Sequence, residues 1–202
     1  ACAPYRRLHL CHHNLESISD YDSNNARHNL LAEVCMAAKY EGDSIKTHYT
    51  IYKEKYKDSA SQLCTVLARS FADIGDIVRG RDLFRGNDEE IKQRQQLDKK
   101  LKEIFKKIYE GLKNGSNGKE AQKHYEDDTK NYYQLREDWW DANRETVWKA
   151  ITCKADENDR YSANIEHDRT GVSHGRCGHE DDNVPTNLDY VPQFLRWFEE
   201  WA

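Results

Sequence analysis

Six cysteines in a chain of 202 residues set the strongest limit on how this sequence can fold. An even number of cysteines, with no apolar run of about 18 residues to cross a membrane, predicts a disulfide-linked domain from an extracellular setting. Only 37% of the residues are hydrophobic and 33% are charged, so the core must be built from a small number of large apolar side chains. Five Trp, twelve Tyr and five Phe are available for that purpose.

Apolar residues recur at three- and four-residue spacing along much of the chain, which is the pattern of amphipathic helices. The spacing predicts helices over residues 25–40, 58–78, 88–112 and 119–151, and from Pro192 to the end. Gly42 is expected to stop the first of them. No Val-, Ile- or Thr-rich run alternates as a strand does. We therefore predict an all-α, disulfide-stapled helical bundle with long loops, packed around Trp139, Trp140 and Trp148.

Two stretches lack this periodicity. Residues 1–24 contain Pro4 and several Asp and Asn residues, which indicates a loop-rich lead-in to the helices. Residues 154–185 are polar and contain three glycines, which indicates a long loop held by a disulfide. The chain also begins inside a cysteine-containing loop, so we expect it to be a piece of a longer protein whose export signal and anchor lie elsewhere.

Charge is distributed unevenly although the net charge is only -5, a value that does not favour nucleic-acid binding. Residues 92–123 carry ten basic and four acidic side chains, whereas residues 154–202 carry five basic and eleven acidic ones. Four lysines of the long helix recur every seven residues and would bind a linear anion such as a sulfated glycan. The candidate contacts are Lys92, Arg94, Lys99, Lys102, Lys106, Lys113, Lys119 and Lys123. The alternative interpretation is a solvated helix face that serves solubility.

Two other chemistries find weaker support. Asp73, Asp76 and Asp82 could gather carboxylates for a metal-dependent enzyme, but no nucleophile elbow, phosphate loop or zinc-protease helix accompanies them. Histidines near cysteines suggest a metal site, but their spacing matches no zinc-binding pattern; these are His9, His12, His13, His167, His174 and His179. We predict a non-enzymatic domain with neither a metal nor a cofactor.

Five blocks of sequence carry a family resemblance. They are ACAPYRRLHLC at 1–11, ARSFADIGDIVRG at 68–80, REDWWDANR at 136–144, VWKAITC at 147–153 and YVPQFLRWFEEW at 190–201. Together they resemble the Duffy-binding-like domain, alpha class, of the erythrocyte membrane protein 1 family of malaria parasites. The resemblance implies that residues 1–24 are the end of a loop-rich first subdomain and residues 25–202 the helical second subdomain of a partial Duffy-binding-like fold.

The resemblance also implies disulfides. Cys64 is expected to pair with Cys177, and Cys35 with Cys153. Cys2 and Cys11 pair either with each other or with cysteines upstream of this chain. Each of the first two bridges closes a loop of more than a hundred residues, for which the entropic model gives about 4 to 5 kcal/mol of stabilisation.

The function that the resemblance implies is host-cell adhesion by a variant antigen on the surface of infected erythrocytes, as part of a membrane-anchored parent protein. The expected partners are sulfated glycans, blood-group sugars or an erythrocyte or endothelial surface protein, together with neighbouring domains of the same chain. The alternative is a structural and antigenic scaffold whose neighbouring domains carry the receptor site.

Overall fold

The computed structural model describes residues 2–16, 18, 25–56, 63–165, 169–181 and 183–201. Within these ranges the α-helices are α1 (Tyr5–Leu8), α2 (His13–Glu16), α3 (Ala26–Tyr56), α4 (Leu63–Arg79), α5 (Asp88–Lys113), α6 (Gly118–His124), α7 (Tyr133–Ile151) and α8 (Gln193–Trp201). Short 3-10 turns lie at Glu126–Asp128, Arg176–Gly178 and Leu188–Tyr190. The all-α class predicted from the sequence is confirmed.

Helices α3, α4, α5 and α7 form the bundle, in which α3 and α4 both pack along α7. Its centre is aromatic, as the sequence predicts. The Phe71 ring lies 5.1 Å from the Trp140 ring and 5.3 Å from the Trp148 ring. Both indoles are fully buried, and Trp139 is 4% exposed. Because rings of this size bury large apolar areas, they compensate for the low hydrophobic content of the chain.

Helix α3 is longer than the sequence predicts, since it continues through Gly42 to Tyr56. The glycine does not end the helix. Gly42 is buried against α7, and a Cβ atom at this position would overlap the Ile151 carbonyl group. Gly42 is therefore required for close helix packing, which periodicity along one segment does not reveal.

Helix α5 matches its prediction closely. Asn87 accepts hydrogen bonds from the backbone N–H groups of Glu89 and Glu90, and the Glu90 carboxylate accepts one from the Asn87 N–H at 2.7 Å. This capping box fixes the first turn. The predicted stripe is buried against the bundle at Leu97, Leu101, Ile104 and Ile108.

The stretch predicted as one helix over 119–151 is divided into α6 and α7. Tyr132 lies between them with a left-handed φ of 57°. Its buried ring packs 6.0 Å from the Tyr109 ring of α5, and the Asp128 carboxylate accepts a hydrogen bond from the Leu135 N–H at 3.0 Å. These contacts place the start of α7 where the local sequence gives no strong stop signal.

The polar stretch at 154–185 contains a short antiparallel hairpin that the sequence analysis did not predict. Strands β1 (Ser162–Ile165) and β2 (Arg169–Val172) pair with Ser162 opposite Val172. Strands of four residues are too short to show a clear alternation.

The disulfide between Cys64 and Cys177 is present, with Cα atoms 5.6 Å apart and a sequence separation of 113. It joins the start of α4 to the polar stretch. The indole N–H of Trp148 donates to the Cys177 carbonyl at 3.0 Å, so the bridge lies directly on the aromatic core.

The expected pairing of Cys35 with Cys153 is wrong in this structure, where both are free thiols. Ile151 lies level with Gly42 on α3, and Asp156 pairs with Lys46 at 2.6 Å. The chain that leaves α7 therefore runs away from Cys35. Cys35 lies seven residues before Gly42 on α3, which is about 10 Å along the helix axis. Cys153 follows Ile151, which lies level with Gly42, so the two cysteines are further apart than the usual Cα separation of a disulfide. Cys2 and Cys11 are also free thiols.

We expect Gly42→Ala to lower the free energy of unfolding by about 2–3 kcal/mol, because the added methyl group meets backbone atoms that cannot rotate away. Urea denaturation followed by tryptophan fluorescence measures this change. Thr47→Ala, at an exposed position of the same helix, is the matched control and should change stability by less than about 0.5 kcal/mol. Equal losses in the two variants would contradict the packing role of Gly42.

Candidate glycan-binding surface

Four lysines form a row along the outer side of α5. Lys92, Lys99, Lys106 and Lys113 are all exposed. At 1.5 Å per residue, neighbours in the row are about 10.5 Å apart along the helix and its ends about 31 Å apart. The Lys92 ammonium lies 3.9 Å from the Glu89 carboxylate, and the Lys113 ammonium lies 5.5 Å from the Tyr109 ring centre. We call these four residues the lysine row.

Helix α6 extends this positive surface. Lys119 and Lys123 are exposed on it, as predicted for glycan contacts. The helix begins directly against the end of α5, because Gly118 lies so close to the Lys113 carbonyl that a Cβ atom there would overlap it. The two added lysines therefore follow Lys113 in space as well as in sequence.

Two of the predicted contacts differ from the rest. Lys102 is half-buried, and its ammonium pairs with the Asp98 carboxylate at 3.1 Å. Arg94 turns inward, where its guanidinium pairs with Asp82 and lies 5.3 Å from the Phe84 ring centre. Burial lowers the pKa of Arg94, although Asp82 opposes the change. The prediction of Arg94 as a surface contact is therefore wrong, because position 94 faces the segment that follows α4.

The carboxylates considered for an enzyme are held by arginines instead. Asp73 is fully buried on α4. It accepts a hydrogen bond from Arg196 of α8 at 2.7 Å and pairs with Arg6 of α1 at 2.8 Å. Arg196 also pairs with Asp76, one turn further along α4. We call Asp73, Asp76, Arg6, Arg79 and Arg196 the α4 ion cluster.

Asp82 is held in a similar way. Its carboxylate pairs with Arg7 at 2.5 Å and accepts a hydrogen bond from the Gln193 amide at 2.7 Å, in addition to its pair with Arg94. Carboxylates that are already matched by guanidinium groups hold segments together and are not available as general bases.

The two acids of the α4 ion cluster differ in pKa. Burial raises the pKa of Asp76 to about 6, with a further rise from Asp73, although Arg196 and Arg79 oppose it. Burial also acts to raise the pKa of Asp73, but Arg6 and Arg196 hold it below its usual range. Arg79, which faces Asp76 at 3.0 Å, also donates to the Asp189 carbonyl at 2.5 Å.

Among the described residues, the histidines considered for a metal site do not meet in a group of ligands that could hold a metal ion. His174 pairs with Asp181 at 2.9 Å, and the His179 ring is hydrogen-bonded to the Thr152 hydroxyl at 2.5 Å. His9 packs against the Tyr5 ring, while His12 packs against His13 and pairs with Glu16. His167 lies outside the described residues.

Helix α8 has an unexpected orientation. Sequence periodicity predicts that Phe194, Trp197, Phe198 and Trp201 form its buried side. Of these only Trp197 is buried, and the exposed fractions of the others are 49%, 72% and 61%. Gln193 and Arg196 take the buried side because Asp73, Asp76 and Asp82 lie beneath it. No local sequence signal identifies this, since the partners are more than a hundred residues away.

Among the helices of the described ranges, none is both long enough and apolar enough to span a membrane.

Comparison with known proteins identifies relatives across the whole chain. A family model described as the Duffy binding domain matches residues 1–196. The Duffy receptor gamma form of Plasmodium knowlesi is 24% identical over 213 residues, and the alignment covers 100% of this chain and 15% of the receptor.

Solved structures agree with this match. The NTS-DBL1(alpha-1) domain of the Plasmodium falciparum membrane protein 1 (PfEMP1) from the varO strain is 48% identical, with a TM-score of 0.83 over 100% of this chain and 43% of that chain. An ICAM-1-binding DBLbeta domain of PfEMP1 is 35% identical, with a TM-score of 0.68 over 97% of this chain and 41% of that chain. The chain thus spans less than half the length of these two solved relatives.

The raised pKa of Asp76 predicts a pH dependence of stability. A carboxyl group that binds its proton more tightly in the folded state contributes stability that is complete below about pH 4, its unfolded pKa, and is lost as the pH rises through about 6. We expect Asp76→Asn to remove this contribution, so that its melting temperature falls less than that of the parent protein between pH 5 and pH 7. Thermal denaturation followed by circular dichroism measures the difference.

Asp73→Asn is the matched control for this experiment. It removes a carboxylate whose pKa is held low by Arg6 and Arg196, so it should destabilise the protein at pH 7. If Asp76→Asn and the parent protein show parallel pH profiles, the Asp76 carboxyl does not titrate in this range.

Proposed function

Because this chain belongs to the Duffy binding domain family, we propose that it is a host-cell adhesion module of a malaria-parasite surface protein. The resemblance found in five sequence blocks is confirmed by the match over residues 1–196. The relatives are named as a Duffy receptor and as an ICAM-1-binding domain, and both names describe binding proteins, not enzymes. We place the module on the surface of infected erythrocytes, within a membrane-anchored parent protein.

We also propose the domain division that the sequence suggested. Residues 25–202 correspond to the helical second subdomain of the family fold, and residues 1–24 to the end of a preceding loop-rich subdomain. In support, the long bundle helices all begin after residue 25, whereas α1 and α2 are single helical turns.

The ligand class that we propose is a sulfated glycan, and the exposed lysine row is the observation that carries it. Four exposed lysines recur every seven residues along α5, and Lys119 and Lys123 extend them onto α6. A linear polyanion can contact such a row without adopting a special shape, and it releases bound counterions as it does so. Lysine suits this contact because its ammonium group stays hydrated and mobile.

The contribution of each predicted residue follows from its surroundings. Lys99 and Lys106 lie in the middle of the row and are exposed, so we assign them the largest share. Lys102 contributes less because Asp98 neutralises part of its charge. Arg94 makes no contact with the glycan, since Asp82 and Phe84 hold it inside.

The test is heparin affinity chromatography of a variant in which Lys92, Lys99, Lys106 and Lys113 are changed to Glu. We expect it to elute at a clearly lower salt concentration than the parent protein, because attraction is replaced by repulsion along the whole row. The measurement is the salt concentration at the centre of the eluted peak.

The matched control changes four other exposed basic residues to Glu: Lys39, Lys149, Lys154 and Arg160. It has the same net charge as the test variant. A difference in elution between the two variants therefore reports where the changed charges lie and not how many there are. Equal elution of the two variants would exclude the lysine row as the contact. If the parent protein itself does not bind heparin or red cells, the module is a scaffold whose neighbouring domains carry the receptor site.

A further inference from the structure

Both Asn-Gly pairs of the sequence lie in the turn that joins α5 to α6, directly after the last lysine of the row. They are Asn114-Gly115 and Asn117-Gly118. Residues 114–117 form the turn and are all exposed. Glycine has no side chain to cover its backbone nitrogen, so this nitrogen can attack the carboxamide of a preceding asparagine. The turn therefore contains both positions of the chain at which the sequence favours this attack.

The reaction that follows such an attack is deamidation through a cyclic imide. The glycine nitrogen loses its proton and bonds to the asparagine Cγ atom, while the bond from Cγ to Nδ2 breaks and Nδ2 leaves with that proton as ammonia. Water then adds to one carbonyl carbon of the ring and breaks its bond to the ring nitrogen. The product is aspartate, or isoaspartate when the main-chain carbonyl is the one attacked. Water is consumed and ammonia is released, and nothing is oxidised or reduced.

The first pair can reach the geometry that ring closure needs. The ring forms only after rotation about the Asn114 Cα–C bond, whose ψ is -5° in the structure. This rotation breaks the hydrogen bond from the Gly115 N–H to the Leu112 carbonyl at 3.2 Å, and water replaces it because Gly115 is exposed. Among the described residues, a Cβ atom added to Gly115 would meet the Leu112 and Gly111 carbonyl oxygens at 3.3 and 3.8 Å. The glycine therefore has room to turn.

The second pair is held by the packing of α6. Gly118 is buried, and a Cβ atom there would overlap the Lys113 carbonyl, so this glycine is fixed against the end of α5. The Asn117 carbonyl accepts a hydrogen bond from the Ala121 N–H at 3.0 Å, which forms the first turn of α6. Rotation at Asn117 would displace both groups. Opening of an exposed turn costs less free energy than separation of packed elements, so the two pairs differ in reactivity.

We propose that Asn114 deamidates spontaneously in the folded domain, whereas Asn117 is protected. The product places a carboxylate directly after Lys113, the last residue of the lysine row. It also places negative charge at the C-terminal end of α5, where the helix dipole disfavours it. The end of the row thus loses positive charge as the protein ages. This consequence for binding rests on the glycan-binding function proposed above, but the modification itself does not.

The experiment follows both asparagines by mass spectrometry while the folded domain is kept at neutral pH and body temperature. Trypsin releases them in one peptide, residues 114–119, and each deamidation raises the peptide mass by the difference between a hydroxyl and an amino group. Fragment ions locate the change at one asparagine or the other. We expect Asn114 to react several-fold faster than Asn117. In urea, where the packing of Gly118 is lost, the two should react at similar rates.

Gly115→Ala is the variant that tests the exposed turn. Gly115 has no positive φ, so alanine is accommodated without backbone strain. The added methyl group covers the backbone nitrogen and should slow the reaction at Asn114 several-fold, while the rate at Asn117 stays the same. Equal rates at the two asparagines of the folded parent protein, or faster reaction at Asn117, would overturn the inference. An Asn114 that stays intact in the folded domain would do so as well.

Heparin elution separates this inference from the proposed function. Asn114→Asp reproduces the charge of the product and should elute at lower salt than the parent protein, with a smaller shift than the variant that changes all four lysines of the row. Asn158→Asp makes the same charge change at an exposed position after α7 and should elute with the parent protein. If Asn114→Asp also elutes with the parent protein, deamidation has no effect on the row.

The two proposals can fail independently. Deamidation of Asn114 in a domain that does not bind heparin would reject only the lysine row as a binding surface. An intact Asn114 in a domain that binds heparin would reject only the modification.

Discussion

The buried ion cluster on α4 fixes how the ends of the chain pack. Asp73 is fully buried, and Arg6 near the start and Arg196 near the end of the chain both pair with it. Removing one member of such a cluster leaves a buried charge without a partner, which is strongly destabilising. This constraint explains why α8 turns its polar side inward and leaves Phe194, Phe198 and Trp201 exposed.

Several arginines are buried inside the domain, whereas the lysines of the row lie on its outside. Arg7, Arg79, Arg136 and Arg196 are each at most 2% exposed, whereas the lysines of the row are exposed. The guanidinium group is planar and weakly hydrated, so it can be buried when carboxylates match it, while an ammonium group keeps its water. The inward position of Arg94 beside Asp82 follows the same rule. The ammonium groups of the row therefore stay hydrated on the surface, while the buried guanidinium groups are matched by carboxylates.

The sequence predicted the bundle helices well where one apolar stripe decides the structure. The α5 stripe from Leu97 to Ile108 and the capping residues around Asn87 are local features, so periodicity and turn chemistry identify them. The errors occur where a distant residue decides. Gly42 is accommodated within α3 by contact with Ile151, and Tyr132 interrupts the aromatic stretch because it packs on Tyr109. The Cys64 to Cys177 bridge came from family resemblance, since spacing alone leaves many pairings possible.

The sequence by itself determined the helical class, the aromatic core and the seven-residue spacing of the lysine row, because these depend on neighbours within a few turns of one helix. Only the tertiary structure decided which basic side chains are exposed for binding, since Asp82, the ion-pair partner of Arg94, lies on another segment. It also brought Arg6 and Arg196, from near the two ends of the chain, to the buried Asp73 carboxylate. Ion-pair partners of this kind are contributed by residues far apart in sequence, and folding alone brings them together.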